Sequence, residues 1–151
     1  MFIFAHCYFN ICFLSPTSPS PPSAHRTQCP PPRWPLHQPA QPLVGPPRFI
    51  YFPIIDQTTA EDAAVARTAH RVMVELSLGR RCYIHCWGGH GRAGTLAAVV
   101  LGAMFDLTPQ EALLRLQLCH DTRADPQRTR SPQTVEQQEQ VRAYIPYRCS
   151  A

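Results

Sequence analysis

The sequence predicts an α/β domain, and three observations carry that reading. A β-branched and aromatic run, Arg48 to Ile55, and a second strand-like run, Arg81 to His85, flank a segment of helical periodicity. A glycine-rich loop follows the second run and opens into an apolar helix. Two further segments carry helix-start signals. Strand, helix, strand, loop and three helices is an α/β order.

The elements occupy the later two-thirds of a chain of 151 residues. Most of the 17 prolines precede Pro53, whereas the charged residues mostly follow it. Met1 to Leu14, "MFIFAHCYFNICFL", is apolar and aromatic but too short to cross a bilayer. It resembles the apolar part of a signal peptide, yet no Lys or Arg precedes it. Ser15 to Pro47 is rich in Pro, Ser and Gln, which bury too little apolar surface to offset ordering entropy. It reads as an extended or disordered linker, with proline-rich docking as the functional alternative.

From Arg48 onward each element has a local cause. "RFIYFPII" is the first strand, and Asp56-Gln57-Thr58 a loop. Thr58 or Thr59 caps a helix, with Glu61 and Asp62 as capping-box partners. Val65, Ala69, Val72 and Leu76 form its buried stripe, and Gly79 ends it. "RCYIH" is the second strand, and "AGTLAAVVLGAMF" a buried helix. "TPQE", Thr108 to Glu111, starts a helix with proline at its first position, and "SPQT", Ser131 to Thr134, starts the last in a similar way.

Composition narrows the function. Net charge is +4 and all 14 basic residues are arginine, scattered without a run of four, so no basic patch for nucleic acid or membrane is visible. Seven cysteines at irregular spacing do not make a secreted disulfide scaffold, and a reducing, cytoplasmic compartment is the expectation. Cys82, His85, Cys86 and His90 cluster like a zinc set, but strand alternation turns Cys82 and His85 to opposite faces.

The segment that carries chemistry is "YIHCWGGHGRAGT", Tyr83 to Thr95. A strand delivers Cys86 and a helix begins near Arg92. Gly88, Gly89 and Gly91 let successive amides curl inward into an oxyanion nest at a helix N-terminus. The same field favours a thiolate. Arg92 is a planar fork that can hold two phosphate oxygens. A thiolate beneath a phosphorus atom is placed for in-line attack and a phosphocysteine intermediate. Cys-x5-Arg alone is weak, because 7 cysteines and 14 arginines give roughly 0.6 chance matches. The flanking strand, glycines and helix give it weight. The leaving oxygen also needs a proton. Asp56 stands at the end of the first strand, thirty residues before Cys86, where the strand ends of an α/β sheet converge. Asp62 is the reserve candidate, better suited to capping.

"HCWGGHGRAGT" resembles the signature loop of the cysteine-dependent protein tyrosine phosphatases, their dual-specificity branch in particular, and "FPIID" resembles that branch's general-acid loop. "SPQTVEQ", Ser131 to Gln137, is similar to a segment found after the active site in some members. The resemblance covers about residues 48 to 145 and leans toward the cyclin-dependent kinase-associated phosphatases and related bacterial and protist proteins. It implies Cys86 as nucleophile, Arg92 with Trp87, Gly88, Gly89, His90 and Gly91 as phosphate cradle, Asp56 as general acid, no metal or other cofactor, and a phosphoprotein substrate. His85 is expected to orient the loop. Trp87 and His90 line the pocket mouth, where inositol-lipid phosphatases of the family carry lysine at the His90 position. On this reading residues 1–46 precede a catalytic domain over 47–151.

Two departures shape the expectation. Most of the family places Ser or Thr after the arginine, where the hydroxyl helps the thiolate leave. Here that residue is Ala93, as alanine is in the phosphatase of regenerating liver group, and Thr95 lies two positions further on. The family also carries strands and a helix before its acid loop, so the proline-rich stretch implies a phosphatase-type sheet lacking part of its N-terminal half. The rival expectations are a phosphate-binding module with poor turnover, a truncated non-folding fragment, and an RNA 5′-phosphatase, which the missing basic patch disfavours. Arg123, Arg128 and Arg130 read as a loose basic loop, mostly solvated.

Overall fold

The computed structural model describes residues 10–14, 48–123 and 129–145. In chain order the elements are β1 (Asn10–Leu14), β2 (Arg48–Tyr51), α1 (Asp62–Ser77), β3 (Arg81–His85), α2 (Arg92–Phe105), α3 (Pro109–His120) and α4 (Val135–Tyr144). The mixture of helices with a few short strands agrees with the α/β expectation.

β1 pairs antiparallel with both other strands, in the order β2-β1-β3. Two strands antiparallel to one neighbour are parallel to each other, so β2 and β3 run the same way with α1 as their crossover. Asn10 stands opposite both Tyr51 and His85. The C-terminal ends of β2 and β3 are therefore level, roughly 10 Å apart at ordinary strand spacing. This level edge is what positions the site.

Several elements differ from the sequence reading, each for a physical reason. Asn10–Leu14, set apart from the domain in sequence, lies inside the sheet because its backbone fills the gap between two unpaired strand edges. Residues 1–9 and the proline-rich segment 15–47 lie outside the described residues. β2 stops at Tyr51, two residues before Pro53, which has no N–H for a ladder. Neither Thr58 nor Thr59 caps α1. Its N-cap is Glu61, without a side-chain cap bond, and the Thr58 hydroxyl instead donates to Ile55 O at 2.8 Å. Asp62, the reserve acid, sits in the first turn of α1 and accepts from Gln140 Nε2 at 2.7 Å. Gly79, with φ of 76°, does follow the end of α1.

The helix start at Thr108 is as read. Thr108 and Glu111 form a capping box with Pro109 between them. The Thr108 backbone N–H and then its hydroxyl hold the Glu111 carboxylate below the usual range. α4 is capped three residues later than read: Thr134 accepts from Gln137 N, and Ser131, which begins a cis peptide to Pro132, points elsewhere.

α2 is the centre of the core. Leu96, Ala98, Val99 and Val100 are buried, and α1, α3, α4 and β3 all pack on this helix. Val65, Ala69 and Val72 of α1 supply the stripe read from sequence, with Leu76 half-buried beside them. Ile50 faces this core from β2, whereas Phe49, Tyr51 and Tyr83 face outward. Glu75 of α1 ties the helix to β2 through an ion pair with Arg48 and to the turn before β3 through Arg80.

Leu96 is 1 % exposed, so Leu96→Ala is expected to cost about 2–5 kcal/mol in urea unfolding. Thr108→Ala, which removes only a cap, is expected to cost about 1 kcal/mol in the same measurement.

Candidate active site

The loop from Cys86 to Arg92 joins β3 to α2. Cys86 is the first residue after the strand and is buried, whereas Trp87 is 88 % exposed at the rim. Gly89 takes φ of 69°, a left-handed conformation that costs glycine nothing. Gly91 is the N-cap of α2 and brings no side-chain oxygen to the first-turn amides. Those amides and the helix dipole favour an anion at this end.

Arg92 opens α2 with its side chain only 2 % exposed. Its Nη2 lies 2.8 Å from Asp56 Oδ1, and Nη1 donates to Ile54 O at 3.3 Å. The residues read as phosphate anchor and general acid thus meet, drawn together from the level ends of β2 and β3. Asp56 itself is 60 % exposed, so its carboxyl faces both the guanidinium and solvent. The turn that presents it is held by Thr58 N donating to Ile55 O at 3.2 Å.

Four residues that sequence reasoning did not assign support the loop. Arg123 donates from Nη1 to Gly88 O at 3.1 Å and from Nη2 to Gly89 O at 3.4 Å. Its side chain therefore lies on the loop rather than in a solvated basic stretch; Arg130 is exposed and Arg128 lies outside the described residues. Ser131 donates its hydroxyl to His90 O at 2.8 Å. His120, buried at the end of α3, meets His90 Nδ1 through Nε2 at 2.7 Å. Gln137, fully buried, donates to Thr58 O at 3.0 Å and accepts from Gln133 N and Thr134 N. Only Ser131 and Gln137 had a visible signal, the "SPQTVEQ" resemblance.

The remaining candidates are placed as follows. His85 stacks on Tyr83 at 5.2 Å between ring centroids, and its side chain makes no hydrogen bond among the described residues. Thr95 Oγ1 donates back to Gly91 O at 3.2 Å, one turn earlier in α2. Ala93 is buried, with no hydroxyl to offer. Cys82, Cys86 and Cys119 are free thiols. Burial, and then the Glu75 carboxylate, push the Cys82 thiol up from 9.0 to about 11.

The level strand ends thus bring a glycine loop that begins at a thiol together with a buried arginine paired to an aspartate. The comparisons with known proteins give the family. Residues 34–144 match the family described as Swiss Army Knife protein, DSP-PTPase phosphatase domain, and the chain belongs to this dual-specificity phosphatase family. It is 35 % identical over 77 residues to "Putative tyrosine phosphatase 197R" of Invertebrate iridescent virus 6, covering 48 % of this chain and 29 % of that protein. It is 33 % identical over 88 residues to "Putative tyrosine phosphatase 067L" of Invertebrate iridescent virus 3, covering 56 % and 37 %. The chain thus spans about a third of the length of these relatives. No solved structure matches.

A methyl group on Gly91 would lie 2.8 Å from Gln137 Oε1, and Gln137 is held by its own hydrogen bonds. Gly91→Ala is therefore expected to cost about 1–3 kcal/mol in urea unfolding. Cys82 supplies a pH signature. Unfolded chain ionises this thiol near 9.0 and folded chain near 11. Its contribution is full below the lower value and is lost as pH rises between the two. The wild-type urea midpoint is expected to fall more steeply across that window than the midpoint of Cys82→Ser.

Proposed function

We propose that this chain hydrolyses phosphomonoesters of proteins, phosphotyrosine and with it phosphothreonine or phosphoserine, through a phosphocysteine on Cys86 and without a metal cofactor. The observation that supports this reading is the Arg92–Asp56 pair at 2.8 Å, because it brings the residue read as phosphate anchor to the one read as proton donor.

The chemistry runs in two steps. The Cys86 thiolate attacks phosphorus in line, the P–O ester bond breaks, and the Asp56 carboxyl gives its proton to the leaving oxygen. The resulting Asp56 carboxylate then takes a proton from water, whose oxygen attacks phosphorus as the P–S bond breaks and the thiolate returns. Arg92 and the loop amides hold the equatorial oxygens as charge develops. A bound phosphoryl group competes with Asp56 for Arg92 Nη2, which releases the carboxyl toward the leaving group.

Ala93 favours the rival reading, a phosphate-binding module with little turnover, because no hydroxyl at this position assists the departing thiolate. Thr95 does not supply one, since its hydroxyl donates to the helix backbone.

Hydrolysis of a small aryl phosphate in EDTA is expected to persist in the wild-type chain and to vanish in Cys86→Ser. Asp56→Asn is expected to lower kcat about 100-fold or more while tightening inorganic phosphate binding, because Arg92 loses its carboxylate partner. A wild-type chain that melts cooperatively but hydrolyses nothing sinks the enzymatic reading. Ala93→Ser is expected to raise kcat and to shorten the life of a trapped phosphocysteine in rapid-quench experiments; an unchanged lifetime would remove Ala93 as the brake.

A further inference from the structure

We propose that Arg123 and Ser131 are positioning residues, which hold three successive loop carbonyls from outside and so aim the N–H groups of Gly89, His90 and Gly91 at a bound phosphoryl group. The proposal rests on the reading of the Cys86–Arg92 loop as a phosphate cradle and assigns the aim of its donors to two residues beyond the loop.

The argument begins with the peptide plane. In a trans peptide the C=O of one residue and the N–H of the next point in opposite directions. Among the described residues only Ser131–Pro132 is cis, so the peptide units of the loop are trans. Arg123 donates from Nη1 to Gly88 O at 3.1 Å and from Nη2 to Gly89 O at 3.4 Å. One planar guanidinium thus faces both carbonyls, and the Gly89 and His90 N–H groups are turned away from it. Ser131 Oγ donates to His90 O at 2.8 Å, which turns away the Gly91 N–H in the same manner. Gly89, with φ of 69°, is the left-handed residue that lets neighbouring amides share one side. The N–H groups of Gly89 and Gly91 make no hydrogen bond among the described residues, and Gly91 leads into the open first-turn donors of α2.

Two glycines make room for these outside donors. A methyl on Gly89 would collide with Arg123 Nη2, and one on Gly94 with Ser131 Oγ. Ser131 is buried, and its own N–H donates to Gln117 Oε1 at 2.9 Å, so the hydroxyl is held from behind. Arg123 is exposed, and its Nη1 also lies 3.4 Å from His90 Nδ1. A guanidinium only donates, and its fork is what lets one side chain meet two carbonyls. A lysine at this position would keep the charge but lose the fork.

The test is a titration of the isotope-labelled full-length chain with inorganic phosphate, followed by NMR at the amide protons of Gly89, His90 and Gly91. In the wild-type chain all three are expected to move downfield as phosphate binds. Arg123→Lys is expected to lose most of the movement at Gly89 and His90, to keep it at Gly91, and to weaken phosphate about tenfold, the low end for a hydrogen bond to a charged group. Ser131→Ala is expected to do the reverse, losing the response of Gly91 and sparing the other two. Guanidinium ion added to Arg123→Ala, far below denaturing concentrations, is expected to restore the Gly89 and His90 response. A merely structural role would blunt all three amides together in either variant, and that result in a chain that still melts cooperatively overturns the proposal. An Arg123→Lys chain with wild-type shifts and affinity also overturns it, by making the arginine a charge at a distance. Three amides that stay still in the wild-type chain while phosphate binds overturn it without any variant. A wild-type chain that binds no phosphate defeats the cradle reading itself, and this role with it.

Discussion

A guanidinium that is 2 % exposed carries a heavy desolvation cost unless charge and hydrogen bonds meet it, as they do at Arg92. Asp56 and the Ile54 carbonyl come from the segment after β2, while Arg92 itself opens α2 after β3. The pairing therefore requires that β2 and β3 end at one edge of the sheet. β1 enforces this by standing between them with Asn10 level with both Tyr51 and His85. The core depends on the same constraint, because α2, the helix that Arg92 begins, is the surface on which the other helices pack.

The loop from Cys86 to Arg92 is held in shape from outside itself. Arg123 clasps two loop carbonyls, Ser131 and His120 hold the carbonyl and the ring of His90, and Gln137 lies against Gly91 while bonded to Thr58 O. The loop and the segment after β2 are thus tied to one another through Arg92 and through Gln137. At the other end of β3, Cys82 is packed near Glu75 and its thiol is pushed up to about 11.

Much of the local structure around the candidate site was legible in sequence, and the legible parts share a cause. Strand, thiol, glycines, arginine and helix are contiguous, so the candidate loop Cys86 to Arg92 occupies seven adjacent positions. The Thr108–Glu111 capping box and the stripe Val65, Ala69, Val72 are equally local. Misreadings arose where one local signal had a distant competitor. Thr58 has the side chain of a cap but serves the turn beneath Asp56, and Ser131 has the look of a cap but bonds to His90 O. Arg123 looked like one cation of a solvated loop because its acceptors lie 34 and 35 residues earlier.

The sequence by itself determined which groups the candidate site holds: a thiol, three glycines, an arginine and an aspartate, with the helices and strand that carry them. These depend on residue chemistry and on hydrogen bonds within a turn or two of chain. The tertiary structure alone decided that Asn10–Leu14 is the middle strand, that Asp56 reaches Arg92, and that Gln137 bonds to Thr58 O, 79 residues away. Such contacts join distant parts of the chain, and their energy depends on burial and register, which exist only once the core around α2 has formed.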